Sequence, residues 1–132
     1  MIFIDASAII SILDEEDDAS SLAVRLAGAS TVFVSPMALY EAVTGLARKR
    51  VCPIDEAQEM VDDFMTATQA RVVDITAEIG RNAVQAFNTF GRGRHKAALN
   101  MGDCFAYACA KAHDLQLLCK GNDFPFTDIE IA

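Results

Sequence analysis

The chain has 132 residues, 52% of them apolar and 23% charged, which is typical of a globular domain and excludes a disordered chain. No apolar run approaches the roughly 18–20 residues of a membrane-spanning helix, and the N-terminus lacks the features of a signal peptide, so we expect a cytoplasmic protein. The net charge of −8 argues against non-specific binding of long nucleic-acid duplexes, which favours a basic surface.

The first half of the chain predicts two strands, each followed by helices. An apolar strand over residues 1–4 ends at Asp5, and helices over residues 6–13 and 19–27 follow, separated by an acidic break. The β-branched run 31–34 predicts the second strand. Ser35 then suits a helix N-cap and Pro36 the first helical position, so helices are expected over residues 36–50 and 54–68.

The second half of the chain continues the same alternation. The pattern predicts, in chain order, a strand over 71–75, a helix over 76–90, a helix over 100–113, a strand over 115–119 and a short last strand over 129–131. Alternating strands and helices indicate an α/β fold with a central, mainly parallel sheet of about four or five strands flanked by helices. No linker divides the chain, so we expect a single domain over residues 1–132.

Four acidic residues from distant segments are candidates for one site. Asp5 ends the first strand and Asp123 follows the fourth, and the carboxyl ends of parallel strands open onto one edge of a sheet. Glu41 and Asp103 lie in helices, and Asp103 leads into an apolar and therefore buried helix. Like charges at one rim repel unless a cation binds them, and Mg²⁺ or Mn²⁺ prefers such oxygen ligands. Carboxylates around Mg²⁺ suit phosphodiester hydrolysis.

Each acid also has a purely structural interpretation. Asp5 could cap the helix that follows it, and Asp103 could lie three residues after an Asn100 N-cap and complement the helix dipole. Asp123 could be an ordinary turn residue, and Glu41 a solvated helix position. These interpretations stay open on the residues alone.

Three segments resemble the motifs of one nuclease family. Residues 2–8, Ile-Phe-Ile-Asp-Ala-Ser-Ala, resemble the opening of PIN domains. Residues 99–108, Leu-Asn-Met-Gly-Asp-Cys-Phe-Ala-Tyr-Ala, resemble the central motif of VapC-type toxins, and residues 117–124 with 127–129 resemble their C-terminal motif. The motifs occur in the family's order, and the resemblance covers the whole chain.

The resemblance implies a PIN-like fold and an Mg²⁺-dependent endoribonuclease, the toxin of a type II toxin–antitoxin pair. Such a toxin cleaves structured RNA, forms a homodimer and is neutralised by a cognate antitoxin. Carried over by motif, the catalytic acids are Asp5, Glu41, Asp103 and Asp123, the metal ligands among them are Asp5, Asp103 and Asp123, and the supporting polar residues are Ser7, Asn100 and Asn122.

A basic loop precedes the central motif. Its cations, Arg92, Arg94 and Lys96, could guide RNA phosphates, although a basic loop is also often simply solvated. His95 could act as a general base, but a metal site does not need one.

Three other interpretations fit the residues less well. A signalling receiver domain would use Asp5, Asp74 and Lys120, but it needs an acidic pair at the end of the first strand and leaves the other acids without a role. A haloacid-dehalogenase-like phosphatase needs a second Asp two positions after Asp5, where Ser7 stands. The third alternative is a PIN fold that binds without cutting.

Overall fold

Four short parallel strands form the sheet at the centre of the computed structural model, which describes residues 1–132. The strand order is β3-β2-β1-β4, with Phe3 of β1 in register with Phe33 of β2 and Leu117 of β4. The predicted α/β class with a parallel sheet is therefore confirmed. The strands are β1 (Ile2–Ile4), β2 (Val32–Val34), β3 (Arg71–Val72) and β4 (Gln116–Leu118).

Six α-helices flank this sheet, close to the predicted positions. Ser35 caps α3 as expected, because its Oγ accepts a hydrogen bond from the Ala38 N–H at 3.1 Å. The helices are α1 (Ala6–Leu13), α2 (Ala19–Ala27), α3 (Pro36–Arg50), α4 (Ile54–Thr68), α5 (Ala77–Phe90) and α6 (Met101–Ala112). None of them is both long and apolar enough to cross a membrane.

Two of the predicted strands differ from the structure. The third covers only Arg71–Val72, because it is an edge strand with exposed residues that pairs with β2 alone. The predicted last strand over residues 129–131 is absent as a strand, since its only ladder contact is an isolated bridge from Ile131 to Leu117. Before it, Phe124–Phe126 forms a 3₁₀ turn that the sequence pattern did not indicate.

The core is one cluster of 34 buried apolar residues. The central strands are covered on both faces, so Phe3, Ile4, Leu117 and Leu118 are all fully buried. This packing fixes β1 beside β4 and brings Asp5 next to the chain that leaves β4. The four cysteines are unpaired.

Candidate metal site at the carboxyl edge of the sheet

Asp5 stands where β1 ends and is only 5% exposed. Its backbone N–H donates to the Leu118 carbonyl of β4 at 2.9 Å, which extends the pairing of the two strands. Its Oδ2 accepts hydrogen bonds from the Ser7 N–H at 3.0 Å and the Ser7 Oγ at 2.6 Å, so Asp5 also caps α1. Burial nevertheless raises the pKa of the Asp5 carboxyl, because these bonds only partly replace lost hydration.

Ser7 connects Asp5 to the loop that carries Asp123. Besides donating to Asp5, the Ser7 Oγ accepts a hydrogen bond from the Lys120 N–H at 3.0 Å. The Lys120 ammonium pairs with Glu16 and lies 3.5 Å from Asp18, both in the connection between α1 and α2. The loop after β4 is therefore held at Lys120, its second residue, by backbone and side-chain contacts.

Asp103 and Asn100 form a capping box at the start of α6. The Asp103 N–H donates to the Asn100 Oδ1 at 2.9 Å, and the Asn100 N–H donates to the Asp103 Oδ2 at 3.0 Å. The structural interpretation of Asp103 is thus correct, yet its Oδ1 accepts no hydrogen bond. The pKa of Asp103 is raised to about 6, mainly by burial and further by the charges of Asp5 and Asp123.

Glu41 reaches the same place from α3, where its carboxylate lies directly against the backbone of Gly102. A Cβ atom at position 102 would overlap both carboxylate oxygens, so only glycine permits this approach. Burial raises the pKa of Glu41 to about 7, with further contributions from the charges of Asp5 and Asp103. Glu41 is therefore not the ordinary solvated helix position that its sequence context also allowed.

Asp123 and Asn122 lie in the loop after β4, and both are exposed. Gly121 has a φ of +97°, a left-handed conformation that turns the chain sharply here. The charge of Asp123 raises the pKa of Asp103, so Asp123 lies near that one of the other acids. Asn122 makes no side-chain hydrogen bond, so no contact in the structure supports its predicted role.

Three of the four acids, Asp5, Glu41 and Asp103, share a cleft of about 530 Å³, and Asp123 is not among the residues that line it. Among the residues that line it are Asp5, Ser7, Glu41, Asn100 and Asp103, together with Tyr40, Thr44 and Arg48 from α3. In this side-chain arrangement no three His, Cys, Asp or Glu side chains are grouped to hold a metal ion. The donor chemistry nevertheless fits a hard divalent cation, because the charge of Asp5 raises the pKa of Glu41 and Asp103 and no ion pair neutralises these carboxylates.

The basic loop between α5 and α6 lies partly at this site. Arg92 is close enough to Asp103 for its charge to lower the pKa of that carboxyl. Arg94 lies 5.7 Å from the centre of the Phe87 ring, and Lys96 lies 4.8 Å from the centre of the Phe126 ring.

His95 makes contacts within the basic loop and with α5. Its Nδ1 accepts a hydrogen bond from the Ala97 N–H at 3.0 Å, and its ring packs edge-on against Phe90. These contacts engage the Nδ1 atom and one edge of the imidazole within the loop itself.

Two residues with clear roles in this geometry, Gly102 and Lys120, were not among the predicted residues of the acidic site. Gly102 had a usable signal, since a glycine in the first turn of a buried helix indicates close approach of another group. No sequence signal indicated the backbone contact of Lys120 with Ser7, because that contact depends on how two distant segments pack.

Comparison with protein families matches the PIN domain over residues 2–130. A VapC ribonuclease of Rhizobium meliloti is 43% identical over 141 residues, an alignment that covers 98% of this chain and 99% of the relative. Ribonuclease VapC28 of Mycobacterium tuberculosis is 38% identical over 130 residues, covering 98% of this chain and 96% of the relative. These matches confirm the resemblance seen in the motifs.

Solved structures share the fold at lower identity. The sarcin–ricin-loop-cleaving toxin VapC20 of Mycobacterium tuberculosis superposes with a TM-score of 0.78 at 20% identity, covering 100% of this chain and 98% of that one. VapBC2 of Rickettsia felis, solved with a promoter DNA fragment, gives a TM-score of 0.72 at 16% identity, covering 99% and 96%.

Proposed function

The chain belongs to the PIN-domain family, and we propose that it is a metal-dependent endoribonuclease toxin of the VapC type that a cognate antitoxin neutralises. One observation supports this most strongly. Asp5, Glu41 and Asp103 come from three distant segments, yet they line one cleft, and the charge of Asp5 raises the pKa of both Glu41 and Asp103. A protein does not assemble mutually repelling carboxylates for stability, so the arrangement favours a cationic ligand.

Asp5, Asp103 and Asp123 would hold the metal, with Glu41 completing the acidic site. When bound, Mg²⁺ or Mn²⁺ neutralises charge on the scissile phosphate and activates water for its hydrolysis. The chain's own residues keep the carboxylates in position. Ser7 fixes Asp5 Oδ2, and Asn100 fixes Asp103 Oδ2 and leaves its Oδ1 available.

Gly102 contributes differently, since the missing side chain lets the Glu41 carboxylate reach the start of α6. The first turn of a helix favours negative charge, because its N–H groups carry the positive end of the dipole. This position would draw Glu41 towards the other acids before any cation binds.

The partners follow from the same chemistry. The substrate is RNA, and the antitoxin would insert an Arg or Lys among the carboxylates, where charge-assisted hydrogen bonds are strong. We also propose a homodimer and a cytoplasmic location, in keeping with the family resemblance. Because all 34 core residues form one cluster, we treat residues 1–132 as a single functional domain.

The direct test is cleavage of structured RNA, including a sarcin–ricin-loop hairpin, by protein freed of antitoxin. We expect cleavage with Mg²⁺ or Mn²⁺ and none with EDTA. Asp5→Asn should remove most of the activity, whereas Asp74→Asn, which changes an exposed acid outside the cleft, should remove none. Undiminished cleavage by Asp5→Asn would refute the metal site. RNA binding without cleavage would instead support the non-cutting PIN alternative.

A further inference from the structure

The distribution of ion pairs singles out one cation in the acidic cleft. Arg48, Lys49 and Arg50 are consecutive at the end of α3, but Lys49 pairs with Glu16, and Arg50 lies 3.5 Å from Asp14. Arg48 is exposed, lines the cleft and has neither an ion pair nor a hydrogen bond. In a chain with a net charge of −8, an arginine left unpaired beside carboxylates has its guanidinium free for a ligand.

Tyr40 lies on the same face of α3 as Arg48, two helical turns earlier. Residues four apart on a helix are neighbours, so Tyr40, Thr44 and Arg48 form one stripe, and all three line the cleft. The Tyr40 side chain is 68% exposed, and its hydroxyl makes no hydrogen bond. The Thr44 Oγ1 donates to the Tyr40 carbonyl at 2.9 Å and is therefore already engaged. Tyr40 and Arg48 remain as the groups available to a ligand.

An exposed aromatic ring and a free guanidinium on one stripe match a nucleic-acid strand. Bases stack on aromatic faces whatever their sequence, and arginine binds phosphate oxygens in a bidentate way. Glu41 and Arg48 are separated by about 10 Å along the helix axis. A phosphate at Arg48 would therefore be a neighbour of the one at the acids, not the scissile one itself.

We infer that Tyr40 and Arg48 form a binding track for the RNA strand that flanks the cleaved bond. Tyr40 stacks on a nucleobase, and Arg48 pairs with a flanking phosphate. This inference rests on the proposed ribonuclease function and names the residues that hold its substrate. Arg48 would then be a second cation near the acids besides Arg92, whose charge lowers the pKa of Asp103.

The test is the steady-state cleavage of a fluorescein-labelled RNA hairpin in Mg²⁺. Arg48→Gln should raise KM about tenfold, as expected for loss of a charge-assisted hydrogen bond, with kcat little changed. The slope of log affinity against log salt should fall by about 0.7, the value for one phosphate contact on a single strand. Tyr40→Ala should raise KM about fivefold or more by removing a stacking partner, without changing that slope.

The matched control is Arg81→Gln, which removes an exposed arginine of α5 that has no ion pair and does not line the cleft. It should leave KM, kcat and the salt slope as in the wild type. Arg48, Arg81 and Tyr40 are all exposed, so the three variants should have the melting temperature of the wild type. A fall in kcat with unchanged KM for Arg48→Gln would overturn the assignment to a flanking phosphate.

Binding of the same hairpin, measured by anisotropy in the Asp5→Asn background, separates this inference from the proposed function. If the wild type cleaves no RNA, the proposed function is wrong. The binding data still show whether Tyr40 and Arg48 bind the RNA strand. Equal affinities and salt slopes for Arg48→Gln and Arg81→Gln would overturn it. The inference would also be overturned if Arg48→Gln bound RNA as the wild type does but bound the antitoxin more weakly. The surface would then be an antitoxin contact.

Discussion

Gly102 shows how one missing side chain determines the geometry of the acidic cleft. Gly102→Ala places a Cβ where the Glu41 carboxylate lies, so Glu41 must move away from Asp5 and Asp103. We expect RNA cleavage to fall by about a hundredfold, the usual effect of displacing a reacting or orienting group by about 1 Å. The fold should survive, because alanine is the better helix former. The measurement is kcat/KM together with a thermal melt.

Gly80→Ala is the matched control for this substitution. Gly80 is also in a helix, but a Cβ there meets nothing within 4 Å. It should raise stability by about 0.5–1 kcal/mol and leave cleavage unchanged. Equal activity of the two alanine variants would show that the position of Glu41 does not matter for the chemistry.

The sequence located individual residues where a motif marked them and missed those whose role arises from packing. Asp5 could be predicted because it ends an apolar strand, and Asp103 because it lies in the first turn of an apolar helix. The contact between Glu41 and Gly102 could not, since it depends on the way α3 crosses α6. The structural and functional interpretations of Asp103 also proved compatible, because one carboxylate oxygen caps the helix and the other stays free.

At the level of elements, Glu16 ties three segments together beside the acidic cleft. Its carboxylate in the α1–α2 connection pairs with Lys49 on α3 and Lys120 after β4, and only 12% of its side chain is exposed. Hydrogen bonds from the two lysines hold the pKa of Glu16 below its usual value. This contact anchors the loop that carries Asp123, and the hydrogen bond from the Lys120 N–H to the Ser7 Oγ reinforces it.

Glu16→Gln should lower the free energy of unfolding by about 1 kcal/mol at low salt, a modest effect because the lysine ammonium groups are solvated. The difference should shrink in about 1 M salt, where exposed charges are screened. Glu59→Gln, an exposed glutamate of α4 without an ion pair, should have no effect. Urea unfolding at low and at about 1 M salt measures the free energy of unfolding of both variants. A loss that does not depend on salt would show that the ion pairs are not responsible.

Element boundaries were predictable where apolar periodicity and capping residues agreed. Helices α1, α2 and α4 have the predicted limits, and α3 begins at the proline that follows the capping serine. The edge strand β3 and the C-terminal segment differed, because β propensity alone does not decide whether a neighbouring strand is present to pair with. The strand neighbours available in the folded chain determined how short β3 is and that Ile131 forms only a bridge.

For the whole molecule, the excess of acid and the location of the cations decide how a nucleic acid can bind. Several lysines and arginines are occupied in ion pairs, whereas Arg48 and Arg92 lie free of ion pairs beside the acids. RNA binding should therefore depend on few phosphate contacts and on the metal, not on a broad basic surface. The same acidity suits an antitoxin that carries a basic segment.

The most direct test of the metal site is a Mn²⁺ titration that follows the signal of the free ion. It compares the wild type with Asp5→Asn and Asp74→Asn, without RNA or antitoxin present. We predict saturable binding by the wild type and Asp74→Asn, and an affinity at least about tenfold weaker for Asp5→Asn, because one carboxylate ligand has become neutral. Equal binding by all three proteins, or no saturable binding by the wild type, would contradict the convergence of these acids on a metal.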